Sequence, residues 1–198
     1  MENATSNPQF WDNLYQTHDT GWDIGYPSTP LKEYIDQLTD TQQSILIPGC
    51  GNSYEAEYML EKGSTNITLV DISPTLTAAL KTRLNRYLGK RLEIITGDFF
   101  DITGQYDLIL EQTFFCALDP SLRKRYVEKM YGLLKPGGTL PGVLFNRDFE
   151  GGPPFGGRKE EYEDLFRERF NIRVMGPCYN SIAPRMGSEL FVILERLG

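Results

Sequence analysis

The sequence predicts an α/β protein: a mostly parallel, seven-stranded sheet that ends in an antiparallel hairpin and is preceded by a helical arm. Three observations predict it. Strand-like and helix-like stretches alternate from Ser44 to Arg169, the order that builds a parallel sheet. The last two strand candidates, Ile172 to Met175 and Glu189 to Glu195, have only a connector between them and so are expected to pair antiparallel. The stretch SILIPGCGNSYEAEYMLEKGSTNITLVD, Ser44 to Asp71, reads as strand, glycine-rich turn, helix and strand with an acid at its tip.

From the start of the chain, disorder is expected in the first few residues. Gln9 to His18 carries helical spacing, with Phe10, Leu14 and His18 on one face and Trp11 and Tyr15 on another. Gly21, Gly25, Pro27 and Pro30 interrupt the pattern around Trp22, and a second helix runs from Thr29, as its cap, to Leu38. Trp11 and Trp22 are the only two tryptophans. They either dock the arm on the domain or form an aromatic cover for a cationic ligand.

Ser44 to Ile47 is an apolar run stopped by Pro48 and Gly49, as a buried parallel strand is stopped. Gly49 and Gly51 then let the backbone approach a ligand, while the helix that follows aims its first amides at the same place. Asn66 to Val70 forms the second strand. It ends in Asp71, 20 positions after Gly51, where a nucleotide-binding βαβ unit carries the carboxylate that accepts ribose hydroxyls. The sixth position of the G-x-G-x-x-G fingerprint is Tyr54, which leaves less room for a pyrophosphate and favours an adenosine ligand without phosphates.

Ser73 and Pro74 start a helix that continues to Tyr87. Leu92 to Thr96 is the third strand, followed by GDFFD, where Asp98 is a candidate to hold an adenine by its exocyclic amine and Phe99 by stacking or through its backbone. Tyr106 to Leu110 is the fourth strand and leads into Glu111 and QTFFCA. A helix from Asp119 and Pro120 to Leu134 ends at Lys135, Pro136, Gly137 and Gly138. The fifth strand lies between Thr139 and Phe145, with an effective start at Gly142 because Pro141 cannot donate to a ladder. A Gly-Gly-Pro-Pro-Phe loop, a helix from Lys159 to Arg169 and the final hairpin complete the chain.

With 198 residues, the whole chain, 1–198, is expected to be one domain, an arm of residues 1–40 on a core of residues 41–198. A net charge of −7 without a basic stripe speaks against nucleic acid, whose phosphates need lysine and arginine. No apolar run approaches the ~18 residues of a membrane span, and no leader pattern is present, so a cytoplasmic monomer is expected. Cys50, Cys116 and Cys178 lack metal-ligand spacing and are expected as reduced thiols; no metal site is expected.

Four stretches, FWDNLYQTHDTGWD (Phe10 to Asp23), LIPGCG (Leu46 to Gly51), EQTFFCALDPSLR (Glu111 to Arg123) and GGPPF (Gly151 to Phe155), carry a resemblance. The chain resembles the class I S-adenosylmethionine-dependent methyltransferases over its full length. Within them it is most similar to the thiopurine S-methyltransferase-like family and its thiol and halide methyltransferase branch. The resemblance implies a Rossmann-like core and S-adenosylmethionine as cofactor, with S-adenosylhomocysteine as product. It implies an arm acting as a lid, with Trp11, Tyr15 and Trp22 closing over the cofactor. By position, Gly49 and Gly51 form the cofactor turn, Asp71 holds the ribose, Asp98 and Phe99 flank the adenine, and Gln112 lies near the methionine part. Three residues depart from the branch: Tyr15 replaces a usual tryptophan, Gln112 a usual tyrosine, and Phe155 a usual tyrosine.

A sulfonium methyl is already activated, so the protein's task is alignment and exclusion of water. A thiolate or halide acceptor needs no proton removed. No side chain is therefore assigned direct chemistry; Phe114, Phe115, Cys116 and Phe155 are expected to make an apolar acceptor pocket. Arg147 and Arg185 are candidates for attracting an anion, and His18, the single histidine, is expected to be a surface or packing residue. The partner is a small-molecule acceptor: a thiol, hydrosulfide, halide or thiopurine. Two other classes share the βαβ start, an NAD(P)-dependent oxidoreductase and a catalytically silent cofactor-binding protein.

Overall fold

A computed structural model describes residues 7–198; the expectation of disorder at the first residues lies largely outside them. Helix α1 (Pro8–Gln16) is capped by Asn7, whose side chain accepts from the Gln9 amide. Helix α2 spans Thr29–Ile35 with Ser28 at its cap. The core then alternates: β1 (Ser44–Pro48), α3 (Tyr54–Glu61), β2 (Asn66–Asp71), α4 (Pro74–Arg83), β3 (Leu92–Thr96), β4 (Tyr106–Ile109) and a two-residue β5 (Glu111–Gln112). After them come α5 (Arg123–Leu133), β6 (Leu134–Phe145), α6 (Lys159–Phe166), β7 (Phe170–Pro177) and β8 (Glu189–Arg196).

The sheet order is β3-β2-β1-β4-β6-β8-β7, with β5 paired beside β6. β1 to β6 run parallel, and β8 inserts antiparallel between β6 and β7. The expected parallel sheet with a terminal hairpin is what forms, extended by the short β5. Alternation along the strands decides the layers. Ile45, Ile47, Ile67, Leu69, Leu108 and Leu110 pack with Leu31 and Ile35 of α2, Met59 and Leu60 of α3 and Leu76 and Leu80 of α4. On the opposite face Leu46, Val70 and Ile109 pack with Tyr126 and Met130 of α5 and Tyr162 and Phe166 of α6.

Several boundaries differ from the sequence reading. Helix α1 stops at Gln16, and His18 takes the left-handed φ of 58° instead of extending it. Helix α4 stops at Arg83, after which residues 85–87 tighten into a 3-10 turn. The stop signals after α5 are inside β6, which begins at Leu134 and runs through Pro141. Pro141 faces Ile193 of β8, and on the other side of β6 it lies in the gap between Leu108↔Thr139 and Glu111↔Gly142. The missing N–H thus falls where the parallel ladder is already broken.

Candidate active site

β1 connects to β2 on one side and the chain returns to β4 on the other, so the carboxyl ends of β1 and β4 flank the switch point where open α/β sheets bind ligands. A cavity of 670 Å³ occupies that place, between the arm and the turns after β1, β2, β3 and β5.

Its floor is the glycine turn. Gly49 and Gly51 have φ of 52° and 50°, a region costly for any residue with a Cβ. Space sets a second demand at Gly49: an added Cβ would lie 2.1 Å from Cδ2 of Phe114. Beside this turn Asp71, 7% exposed, accepts the amides of Gly51 at 3.2 Å and Ser73 at 3.0 Å. Burial pushes its carboxyl up to about 6. Two amides do not exhaust the lone pairs of a carboxylate, so Asp71 retains capacity for ribose hydroxyls. Asp98 and Phe99 line the next wall. Asp98 accepts the Phe100 amide at 2.8 Å, and Phe99 stacks edge-on against Phe114 at 5.1 Å.

The arm closes the cavity. Trp22 stands edge-on between Trp11 at 5.5 Å and Tyr15 at 5.8 Å, and all three rings line the space. Asp23 accepts the side-chain amide of Asn52 and, at 3.4 Å, the Tyr54 hydroxyl, which joins the arm to the glycine turn. Tyr54 itself lines the cavity and so occupies the region that a third fingerprint glycine would leave open. Arg185 donates to the Trp22 carbonyl at 3.1 Å and lies 3.6 Å from Glu189, so its charge is already committed to holding the arm.

The sequence-predicted residues Trp11, Tyr15, Trp22, Gly49, Gly51, Asp71, Asp98, Phe99, Gln112, Phe114, Cys116 and Arg185 all line this one cavity. Four others do not. Phe115, 1% exposed, turns into the core against Tyr126, Tyr162 and Phe166, because the 3-10 turn at residues 115–117 aims it away from its neighbour Phe114. Phe155 stays off the cavity wall; its amide donates to the Cys116 carbonyl at 2.6 Å, and the loop presents Gly152, Pro153 and Pro154 instead. Arg147 is exposed and stacks on Phe149 at 4.7 Å. His18 is exposed and is not a lining residue.

Sequence reasoning missed two acids that organise the site. Asp12 is buried in α1 and accepts the Ser73 hydroxyl at 2.6 Å, the Thr75 amide at 2.8 Å and the Thr75 hydroxyl at 3.0 Å, so it caps α4 and ties down the arm. Its pKa falls below the usual carboxylate value, chiefly through the Ser73 hydroxyl. Glu111, fully buried, accepts the amides of Phe114 and Phe115, both at 2.9 Å, and the Tyr126 hydroxyl at 2.6 Å. It fixes the turn that carries Phe114 against Gly49. An acid inside an aromatic-rich helix and an acid at a buried strand end were the available signals.

The lining side chains include five carboxylates, Asp19, Asp23, Glu55, Asp71 and Asp98, against the single cation Arg185. That balance suits a ligand bearing positive charge. Among the described residues no group of three or more His, Cys, Asp or Glu is arranged to hold a metal, and no helix is long and apolar enough to cross a membrane. The three cysteines are free and buried.

Residues 6–190 match the family model for thiopurine S-methyltransferase. The "Probable thiol methyltransferase 2" of Arabidopsis thaliana is 31% identical over 90% of this chain and 81% of its own length. Thiopurine S-methyltransferase of Acinetobacter baylyi is 25% identical over 84% and 87%. Among solved structures, magnesium protoporphyrin IX methyltransferase from Synechocystis with bound SAM superimposes with a TM-score of 0.76, covering 99% of this chain and 98% of that one at 11% identity, a likeness of fold.

Proposed function

The chain belongs to the thiopurine S-methyltransferase family, and on that footing we propose that it methylates a small soft nucleophile held between Phe114, Leu118 and the Gly152 to Pro154 loop. It is an S-adenosylmethionine-dependent methyltransferase with thiol-type acceptors. The observation that carries the finer reading is the composition of the cavity: one end has glycines and carboxylates under three aromatic rings, the other has apolar walls with no histidine.

The cofactor supplies a methyl group activated by its sulfonium. Asp71 would accept the ribose hydroxyls, Asp98 and Phe99 would flank the adenine, and Gly49 and Gly51 would let the ligand approach the backbone. Trp11, Tyr15 and Trp22 would cover the positive sulfonium, a contact worth ~2 kcal/mol when desolvated, and would exclude water. Phe114 and the proline loop would align the acceptor's lone pair with the methyl group that the cofactor supplies. A thiolate or halide gives up no proton in this step, so alignment is the main catalytic contribution. Arg185, engaged by the Trp22 carbonyl and Glu189, would serve to hold the arm over the acceptor.

We read residues 1–198 as one catalytic domain, with 1–40 as lid and 41–198 as core, acting as a cytoplasmic monomer without metal. The test is product detection by mass spectrometry from hydrosulfide, small and aromatic thiols, iodide and a thiopurine. For thiols the pH midpoint should follow the acceptor's own ionisation. With S-adenosylmethionine saturating at every pH, so that Asp71 does not limit the rate, one midpoint near ~6.5 for every acceptor would instead mark a histidine base and overturn the reading.

A further inference from the structure

Two acids of the cavity, Asp19 and Glu55, have no task so far, and of the two only Glu55 is buried. Glu55, the second residue of α3, is 9% exposed and lines the cavity wall. Its Oε1 accepts the Ser28 amide at 2.8 Å, and the Ser28 hydroxyl donates onward to Oε1 of Gln112 at 3.0 Å. None of the ion pairs among the described residues involves Glu55, and Arg185, the one cation of the lining, is spent on Trp22 and Glu189. Burial accordingly pushes the Glu55 carboxyl upward. Next to it Ser53 Oγ is buried without a hydrogen-bond partner and lines the same cavity. A desolvated carboxylate without a cation, beside a hydroxyl with unused valence, is costly unless a donor meets it. It becomes favourable when a ligand brings a positive donor.

We infer that Glu55, held in place by Ser28 and Gln112, binds the ammonium group at the amino-acid end of the cofactor. This rests on the S-adenosylmethionine reading and adds to it a residue for the end of the ligand remote from the reacting methyl. The chemistry fits a zwitterion. Glu55 matches the ammonium, and Gln112, whose oxygen is engaged by Ser28, has its Nε2 as donor for the adjoining carboxylate. The Ser28 link also sets the geometry: it ties the cap of α2, the first turn of α3 and the end of β5 into one polar wall. Recognition there depends on the amine and is indifferent to the methyl, so substrate and product cofactor are held alike at this end.

Calorimetry on wild type and Glu55→Gln with S-adenosylhomocysteine, its deaminated analogue and 5′-methylthioadenosine, which lacks the amino-acid part, tests the inference. Glu55→Gln should weaken S-adenosylhomocysteine by roughly 10- to 100-fold, the loss of a charge-assisted contact. It should leave 5′-methylthioadenosine and the deaminated analogue within about twofold. An equal loss for all three ligands would make Glu55 a packing residue, and an unchanged affinity for S-adenosylhomocysteine would remove it from the site; either overturns the inference alone. Wild type that fails to bind S-adenosylhomocysteine overturns the cofactor reading as well. If Glu55→Gln does not fold, wild type decides: equal affinity for S-adenosylhomocysteine and its deaminated analogue sinks the ammonium contact.

Discussion

Asp12 and Ser73, 61 positions apart, share a hydrogen bond of 2.6 Å, and the amide of the same Ser73 donates to Asp71 at 3.0 Å. The arm that covers the cavity is therefore fastened to the residue that immediately positions the Asp71 carboxylate, the group proposed to hold the ribose. Removing Asp12 should disturb closure and cofactor binding together.

Asp12→Ala is expected to cost about 1.5–3 kcal/mol of stability, since it strips hydrogen bonds to a charged group and leaves Ser73 and Thr75 without their acceptor. The pH dependence has a definite sign. The Asp12 pKa is depressed in the folded protein, so its contribution is fully present above the ordinary value of 3.8 and is lost as pH falls below it. Acid titrations of wild type and Asp12→Asn should differ most above pH 3.8 and converge below it.

Asp71 has the opposite sign. Its folded pKa is raised from 3.8 to about 6, so the buried charge costs stability increasingly from pH 4 upward, with the full cost above about 6. The cofactor's hydroxyls need the ionised form as acceptor. Affinity for S-adenosylhomocysteine should then be about tenfold weaker at pH 5 than at pH 7.5 in calorimetry. Asp71→Asn should bind about 10- to 100-fold more weakly while melting no lower than wild type at pH 7.5.

Trp22, flanked by Trp11 and Tyr15, should report closure directly. Tryptophan emission is expected to change on cofactor addition. Trp22→Ala should weaken S-adenosylmethionine by about 0.5–2 kcal/mol more than neutral S-adenosylhomocysteine, because only the sulfonium gains from the ring face. Equal losses for both ligands would reduce the ring to a steric cover.

The fold was legible because each core element carries its own local signal. β2 and β3 begin where alternation and turn residues place them, and the acid at the tip of β2 stands 20 positions after Gly51. What escaped was set by distant partners. Asp12 is meaningful only through Ser73 and Thr75, and Glu55 only through Ser28 and Gln112. Pro141 was misjudged for the same reason, since the gap that accommodates it belongs to the neighbouring strands. Phe114 and Phe115 are adjacent and alike in sequence, and a 3-10 turn sends one to the cavity and the other to the core.

Glu111→Ala should destabilise the protein by about 3 kcal/mol, as it orphans the amides of Phe114 and Phe115 and the Tyr126 hydroxyl together. Urea unfolding checks that value. Glu111→Gln retains an acceptor and should lose less. In both variants the acceptor KM is expected to rise before the cofactor affinity falls, because Phe114 loosens while Asp71 keeps its amides.

The contact between Gly49 and the Phe114 ring has a consequence for how this protein can diversify. One aromatic wall serves two compartments, so enlarging the acceptor side by trimming Phe114 also removes the surface against which the glycine turn rests. New acceptors are more readily accommodated from the other side, at Leu118, Phe145 and the proline loop, where changes leave that turn untouched. The molecule thus separates a wall that must stay constant from a wall that is free to drift, and a library aimed at bulkier thiols should be concentrated on the second.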